Sequence, residues 1–316
     1  MDNRPRRLGL LLTDGFALMS YASILEPFRA ANRLSGDELY RWTHISPDGA
    51  PVRASSGTSI VADQGVDQPL ECDTLFVFAG GDPGAFEHRA TFAWLRRIAR
   101  GGAVVAGVSG GPFLLARAGL LDGHRATIHW EHRTEFAAGF PAVMLEPGLY
   151  VIDRRRLTCA GGAAGIDLAV EMIAREQGQA LAMRVGEWFI RAEPRSADEP
   201  QRPGLRDRYG TTDDRVLKVL AQMEEAIELP APRAVLARLA GLSVRQLERR
   251  FATQLGTSVA GTYRKLRLAR ADQLLRKTGM TTTEIALATG FRSSSHFSRA
   301  YRQHHGTTPT AARRAD

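Results

Sequence analysis

The first residues with chemical potential are Gly107-Val108-Ser109-Gly110-Gly111, a literal G-x-S-x-G. In the context of a strand followed by a helix, that spacing puts a serine on a sharp turn with its hydroxyl exposed. His129 lies 20 residues later and is a candidate base. Taken alone, the pair reads as a serine hydrolase. Two features argue the other way. No His-Gly-Gly-Gly run supplies an oxyanion motif, and a Ser…Asp…His order finds only Asp122 between serine and histidine. A serine without a paired base and acid keeps a pKa far above neutrality and is a poor nucleophile.

The elements that must carry this turn alternate along the chain. Arg7–Thr13 is an apolar run of strand length. Ser20–Leu34 has helical spacing, with Ile24, Leu25, Phe28 and Ala31 on one side. Thr74–Ala79 and Ala103–Val108 are strand-length runs followed by glycines, with helices expected over Thr91–Arg100 and Gly110–Ala118. This alternation predicts an α/β domain with a mostly parallel sheet. Functional groups in such sheets sit where strands end and helices begin. Gly80-Gly81 and Ser109-Gly110-Gly111 fall at two such places. Pro194, Pro200, Pro203, Gly204 and Gly210 then mark 192–212 as a linker. Beyond it the pattern is wholly helical. The expected division is 1–191, linker 192–212 and an all-α domain 213–316. That agrees with ~100–200 residues per domain.

Charge separates the same parts. Residues 213–316 carry 18 Lys and Arg against 9 Asp and Glu, while residues 1–212 are close to neutral. Of the 42 basic residues 39 are Arg, a preference that genome composition can explain, but composition does not explain the asymmetry. A basic segment joined to a neutral one is the footprint of a nucleic-acid-binding domain. That segment also repeats. Leu236-Ala237…Gly241-Leu242 matches Ile285-Ala286…Gly290-Phe291 at an offset of 49; Leu247, Phe251 and Gly256 match Phe297, Tyr301 and Gly306 at 50. In each copy a helix ends at a glycine, an apolar residue follows, and Ser243 or Ser293 caps the next helix. Leu247 and Phe251 anchor the first such helix, leaving Ser243, Val244, Arg245, Gln246, Arg249 and Arg250 as the DNA-facing set. Phe297 and Tyr301 anchor the second, leaving Ser294, Ser295, His296, Ser298, Arg299 and Arg302. Arg forks onto guanine and Gln onto adenine in a major groove. Between the copies, Val259–Lys277 reads as one long helix. Its expected apolar stripe is Tyr263, Leu266, Ala269 and Leu274, and Arg264, Lys265, Arg267 and Arg270 supply charge.

Here two resemblances enter. "LARLAGLSVRQLERRFATQLGTSVAGTYRKLRLARADQLL" followed by "TTEIALATGFRSSSHFSRAYRQHHGTTPT" resembles the AraC-family DNA-binding domain over its whole length. This implies two recognition helices entering successive major grooves of promoter DNA, with RNA polymerase as a further partner. "GVSGGPFLLARAGLLDGHRATIHWEH" resembles the DJ-1/PfpI-like, class I glutamine-amidotransferase-like domain of GlxA-type AraC regulators, over roughly residues 7–190. The fold this implies is a flavodoxin-like sandwich. The superfamily's elbow carries a cysteine where this chain has Ser109, and its histidine aligns with His129. Its acidic position falls on Ser20, with Glu26 further along. The resemblance therefore implies a sensor without catalytic residues.

Backbone N–H groups at a helix N-terminus favour an anion. Gly110 and Gly111 offer them on one side, and Gly80, Gly81 and Asp82 on the other. A small carboxylate would sit between, with Ser109 as donor and His129 and Trp130 alongside. The Ser-Gly-Gly elbow looks most like that of regulators of glycine betaine, dimethylglycine and carnitine catabolism. A quaternary ammonium over an aromatic face is worth ~0.5–2 kcal/mol. Trp130 is the first candidate face, with Phe16, Tyr21 and Trp188 behind it.

The expectation is a ligand-responsive regulator, a homodimer through its N-terminal domain and an activator by resemblance. The alternatives are a hydrolase or amidase-like enzyme fused to a DNA-binding domain, and a metabolic enzyme with a vestigial tail. There are two cysteines, Cys72 and Cys159, with no metal-ligand spacing, which argues against a disulfide scaffold and fits a reducing cytoplasm. No metal or cofactor is expected. No run of 18 uncharged apolar residues suggests a membrane span.

Overall fold

Side chains alternate across a strand, and that alternation builds two cores here. In β1 (Arg6–Leu12), Leu8, Leu10 and Leu12 face one core and Leu11 faces the other. The computed structural model describes residues 4–191 and 193–314. It falls into two units, Met1–Arg202 and Pro203–Asp316.

The N-terminal unit is built on a seven-stranded sheet. After β1 come β2 (Tyr40–Ser46), β3 (Gln64–Gly65), β4 (Thr74–Ala79), β5 (Val104–Ser109), β6 (Tyr150–Asp153) and β7 (Arg156–Cys159). The spatial order is β6-β7-β5-β4-β1-β2-β3. Every pairing is parallel except β6 with β7. Helices α1 (Leu18–Ser35), α5 (Ala164–Gln177) and α6 (Gln179–Trp188) cover one face. The other face is covered by α2 (Arg89–Arg100), α3 (Gly111–Arg117) and α4 (Arg133–Gly139). This is the expected α/β sandwich of flavodoxin-like type. The strand order reverses around β1, so the crevice of this sheet opens at the C-terminal ends of β1 and β4.

The expected linker is divided between the units. Residues 193–202 are strapped onto the N-terminal unit. Arg195 and Arg191 both pair with the buried Asp167 carboxylate, at 2.8 and 2.7 Å. The Ala197 carbonyl accepts the N–H of Leu149 at 2.8 Å, alongside the edge strand β6. Residues from Pro203 on belong to the other unit, where α7 (Leu205–Tyr209) adds Leu205 and Tyr209 to the helical core. Proline and glycine content marked this stretch as loop, but a loop docked by arginines and backbone carbonyls has the same composition.

The C-terminal unit continues with α8 (Asp214–Glu225), α9 (Arg233–Leu239), α10 (Val244–Leu255), α11 (Val259–Lys277), α12 (Thr282–Ala288), α13 (Ser294–His305) and α14 (Pro309–Arg314). It has two cores. α11 serves both, with Val259 and Tyr263 in the first and Leu268, Ala271, Leu274 and Leu275 in the second. The expected stripe is therefore corrected. Ala269 is exposed, because a helix shared by two bundles turns a different face to each. The copies also touch away from α11, where a Cβ on Gly290 would lie 2.6 Å from Pro230 Cγ.

The tightest packing is at the start of α3. A Cβ on Gly111 would lie 2.0 Å from the Val77 carbonyl oxygen. We expect Gly111→Ala to destabilise the N-terminal unit by about 3 kcal/mol. Gly139→Ala, in the last turn of α4 with nothing within 4 Å, should be neutral or stabilising by about 0.5 kcal/mol. Urea unfolding midpoints of the two full-chain variants measure the contrast.

Candidate functional site

Ser109 closes β5 in the left-handed region, with φ 60°. A non-glycine residue there is strained, and such strain persists only where the surroundings impose it. The glycines of the motif explain how. A Cβ on Gly107 would lie 2.8 Å from the Pro112 nitrogen, and one on Gly110 would lie 2.9 Å from the Ala79 oxygen and from Pro83. Helix α3 can start this close to the sheet only if these positions carry no side chain. Ser109 pairs in register with Ala79, so its turn leaves the sheet beside Gly80-Gly81-Asp82. The structure thus brings two of the expected ligand segments together. Ser109 itself is 8% exposed.

Gly110 plays a different part from the one expected. Its N–H donates to the Ala79 carbonyl at 3.0 Å and is spent on holding the turn. Gly111 likewise serves close packing. Gly81 keeps a positive φ with open space around it, whereas a Cβ on Gly80 would lie 2.3 Å from the Gly15 oxygen. Asp82 precedes a short 3-10 turn, and its carbonyl accepts the Ala85 N–H at 3.1 Å. A Cβ on Gly84 would lie 2.7 Å from Glu135 Oε1 and 3.3 Å from Asp82 Oδ1, so two carboxylates flank this glycine.

Ser20, which the resemblance aligned with the superfamily's acidic position, stands across Gly161 from Ser109. A Cβ on Gly161 would lie 2.6 Å from Ser20 Oγ and 2.8 Å from Ser109 Cβ. Ser20 Oγ accepts the Gly162 N–H at 2.8 Å. Glu26 is clasped by Arg29 at 2.6 Å. Cys159, at the end of β7, is fully buried, and burial pushes its thiol up to about 12. A thiol so shifted is no nucleophile near neutrality.

His129 and Trp130 lie on the loop before α4. The Glu131 N–H donates to His129 Nδ1 at 3.4 Å, and the Glu131 carboxylate is 3.6 Å from the same atom. Ring contacts run from α3 to this loop: Phe113 to His132 at 5.8 Å, His132 to His129 at 6.3 Å, His129 to Trp130 at 5.4 Å. The Arg202 guanidinium lies over the Trp130 ring, 4.3 Å from its centroid. Of the supporting aromatics, Phe16 is a core residue with no exposure, and Trp188 ends α6 at 48% exposure. Tyr21 is half-buried, its ring edge-on to Phe16 and Phe78. Burial, then the charges of Glu26 and Asp63, push its hydroxyl up to about 12. That hydroxyl meets His44 Nε2 at 2.8 Å, and His44 Nδ1 meets Asp63 at 3.3 Å. No spacing in the sequence links these three residues; the pairing of β2 with β3 sets Asp63 beside His44, and α1 brings Tyr21 to it. Two cavities of the N-terminal unit, about 470 and 350 Å³, are lined by none of the eight expected ligand residues.

In the C-terminal unit α10 and α13 start as expected. Ser243 Oγ accepts the Gln246 N–H at 3.3 Å, and Ser293 Oγ accepts the His296 N–H at 3.2 Å. Both helices end on a left-handed glycine, Gly256 and Gly306. Val244, Arg245, Gln246, Arg249, Ser295, His296, Arg299 and Arg302 are exposed; Ser294 and Ser298 are partly so. Three expected roles change. Gln246 Oε1 accepts the Ser243 N–H at 2.9 Å, so half of that amide closes a capping box. Arg250 pairs with Asp213, the N-cap of α8, and fastens two helices. Arg267 lies over the Phe291 ring at 4.0 Å and donates to the Thr289 carbonyl at 2.6 Å. Burial lowers its pKa, and its guanidinium is engaged within the unit. Arg292, exposed in the second turn, was missed. The shift in repeat offset from 49 to 50 was its signal, because this one extra residue lengthens the turn.

The comparisons agree with this anatomy. Residues 6–175 match the DJ-1/PfpI family, and residues 236–315 match a helix-turn-helix domain family. The HTH-type transcriptional regulator GlxA of Rhizobium meliloti is 42% identical over 98% of this chain and 96% of its own. The regulator CdhR of Pseudomonas aeruginosa is 40% identical over 96% of this chain and 90% of its own. The crystal structure of an AraC family transcriptional regulator from Pseudomonas putida is 28% identical, with a TM-score of 0.54. It covers 58% of this chain and all of that one. The chain belongs to the GlxA-type AraC-family transcriptional regulators, in which a DJ-1/PfpI domain precedes a helix-turn-helix unit.

Proposed function

We propose that this regulator senses a small methylated or quaternary amine carboxylate at the elbow end of its sheet and activates transcription in response. The observation that carries the reading is the guanidinium seated on Trp130. That ring face already holds one cation, and an ammonium is attracted to it by the same ring quadrupole. The Asp82 and Glu135 carboxylates both lie beside Gly84. Ser109 acts as hydrogen-bond donor to the effector, Gly80 and Gly81 shape the opposite wall, and His129 lies beside Trp130. Promoter DNA is bound by α10 and α13, and homodimerisation through the N-terminal unit and contact with RNA polymerase complete the proposal. The effector alters DNA binding only to the extent that it prefers one arrangement of the protein.

The strained φ of Ser109 favours one second reading, an enzyme whose turnover drives the response. Ser109→Ala separates the two. A sensor keeps most of its regulation with altered effector affinity, whereas an enzyme loses the response entirely.

Calorimetry on the full chain with glycine betaine, dimethylglycine and carnitine tests the effector class. At least one should bind, and Trp130→Ala should weaken it about tenfold. Failure of all three while another amino acid binds contradicts the reading. For DNA, Arg245→Ala and Arg299→Ala should each weaken operator binding by about tenfold to a hundredfold. Arg250→Ala should instead lower the thermal midpoint of the C-terminal unit. Titrations at several salt concentrations, with a thermal melt of each variant, distinguish these outcomes.

A further inference from the structure

Arg191 and residues 193–202 form a strap whose docking is built into the N-terminal unit. It begins at Asp167, with its side chain 1% exposed, where the Arg195 backbone N–H and guanidinium donate at 3.0 and 2.8 Å. It continues along β6, where the N–H of Leu149 reaches the Ala197 carbonyl. The chain lies so close here that a Cβ on Gly148 would be 2.3 Å from the Ala197 oxygen. It ends in a polar plug. Gln201 Oε1 accepts the Trp130 N–H at 2.8 Å. Gln201 Nε2 reaches Thr127 Oγ1 at 3.1 Å and the carbonyls of Ile128 and Gly148 at 3.0 and 2.9 Å. The next residue, Arg202, covers the Trp130 ring, and Pro203 opens the other unit.

We propose that Gln201 and Arg202 form a latch that a cationic effector opens by taking the Trp130 face from Arg202. The inference rests on the effector reading above and adds its route to the DNA-binding unit. Arg202 is an internal competitor: its guanidinium holds the face that an ammonium would use. Once displaced, it leaves the strap's end held by the Gln201 hydrogen bonds without the cation–ring contact. Release of residues 196–202 adds up to about 25 Å of tether, at ~3.5 Å per extended residue. Tether length sets the effective concentration of a linked binding unit at its second site, so promoter occupancy changes without any new DNA contact.

The test uses three full-chain variants. Gln201→Ala removes the plug, Arg202→Ala removes the competitor, and Gly148→Ala lifts the strap while leaving Trp130, Gln201 and Arg202 intact. Hydrogen exchange of the peptides holding Trp130 and Leu149 reports docking. Transcription from a promoter fragment selected by the wild-type chain, with no amine added, reports output. Glycine betaine is the affinity probe. Gln201→Ala and Gly148→Ala should exchange faster and shift basal transcription in the same direction by about threefold or more. Arg202→Ala should bind betaine about fivefold tighter, the ratio of one lost cation–ring competitor. Wild-type exchange too fast for a docked strap overturns the latch. So does faster exchange in the variants with basal output and affinity unchanged, which makes the strap an anchor only. Absence of betaine binding to the wild type counts against the effector class, and basal output then decides the latch by itself.

Discussion

How closely α3 can approach the sheet governs the N-terminal unit. A main-chain carbonyl, that of Val77, stands where any side chain at position 111 would have to be. This contact fixes the start of α3, forces Ser109 into the left-handed region, and turns the Gly110 N–H inward to Ala79. It also sets Phe113, and through ring contacts the His129–Trp130 loop. The elbow of a nucleophile is thus retained as geometry. Ser109 closes the turn, a second serine, Ser20, stands across Gly161 from it, and burial pushes the nearby Cys159 thiol up.

The DNA-binding unit depends on a different economy, one helix serving two cores. Because α11 is divided between them, each copy needs a further tie to hold its register. Arg267 on Phe291 supplies one and Arg250 on Asp213 supplies another. Both are arginines in a strongly basic segment. Charge alone does not tell a phosphate contact from a rivet; a partner within the unit does, Asp213 for Arg250 and the Phe291 ring for Arg267.

Much of this was legible in the sequence. Strands at Thr74–Ala79 and Arg7–Thr13 and the two glycine turns follow from apolar runs with clear stops, and the structure places each within one residue. The paired Ser caps were readable because a cap is a local device. What could not be read depends on residues distant in the chain. Tyr21, His44 and Asp63 meet because β3 pairs with β2 and α1 packs beside it, contacts between segments about 20 positions apart or more. Asp167 meets Arg195 across 28 positions, and Gln201 meets Thr127 across 74. A docked strap and a free linker look alike in composition, since both avoid apolar residues. Gln246 showed the reverse limit: an exposed residue of the right type for adenine is half used by its own helix.

The proposed latch couples the effector and operator sites through one chain. Linkage makes it measurable in both directions, since an effector that changes operator affinity by some factor must have its own affinity changed by that factor. The direct measurement is a pair of titrations on the full chain at one salt concentration, operator binding with and without saturating glycine betaine, and betaine binding with and without operator. The account predicts equal factors, distinct from one, in the two titrations. Betaine that binds equally well in the presence and absence of operator, with operator affinity unmoved, would contradict it.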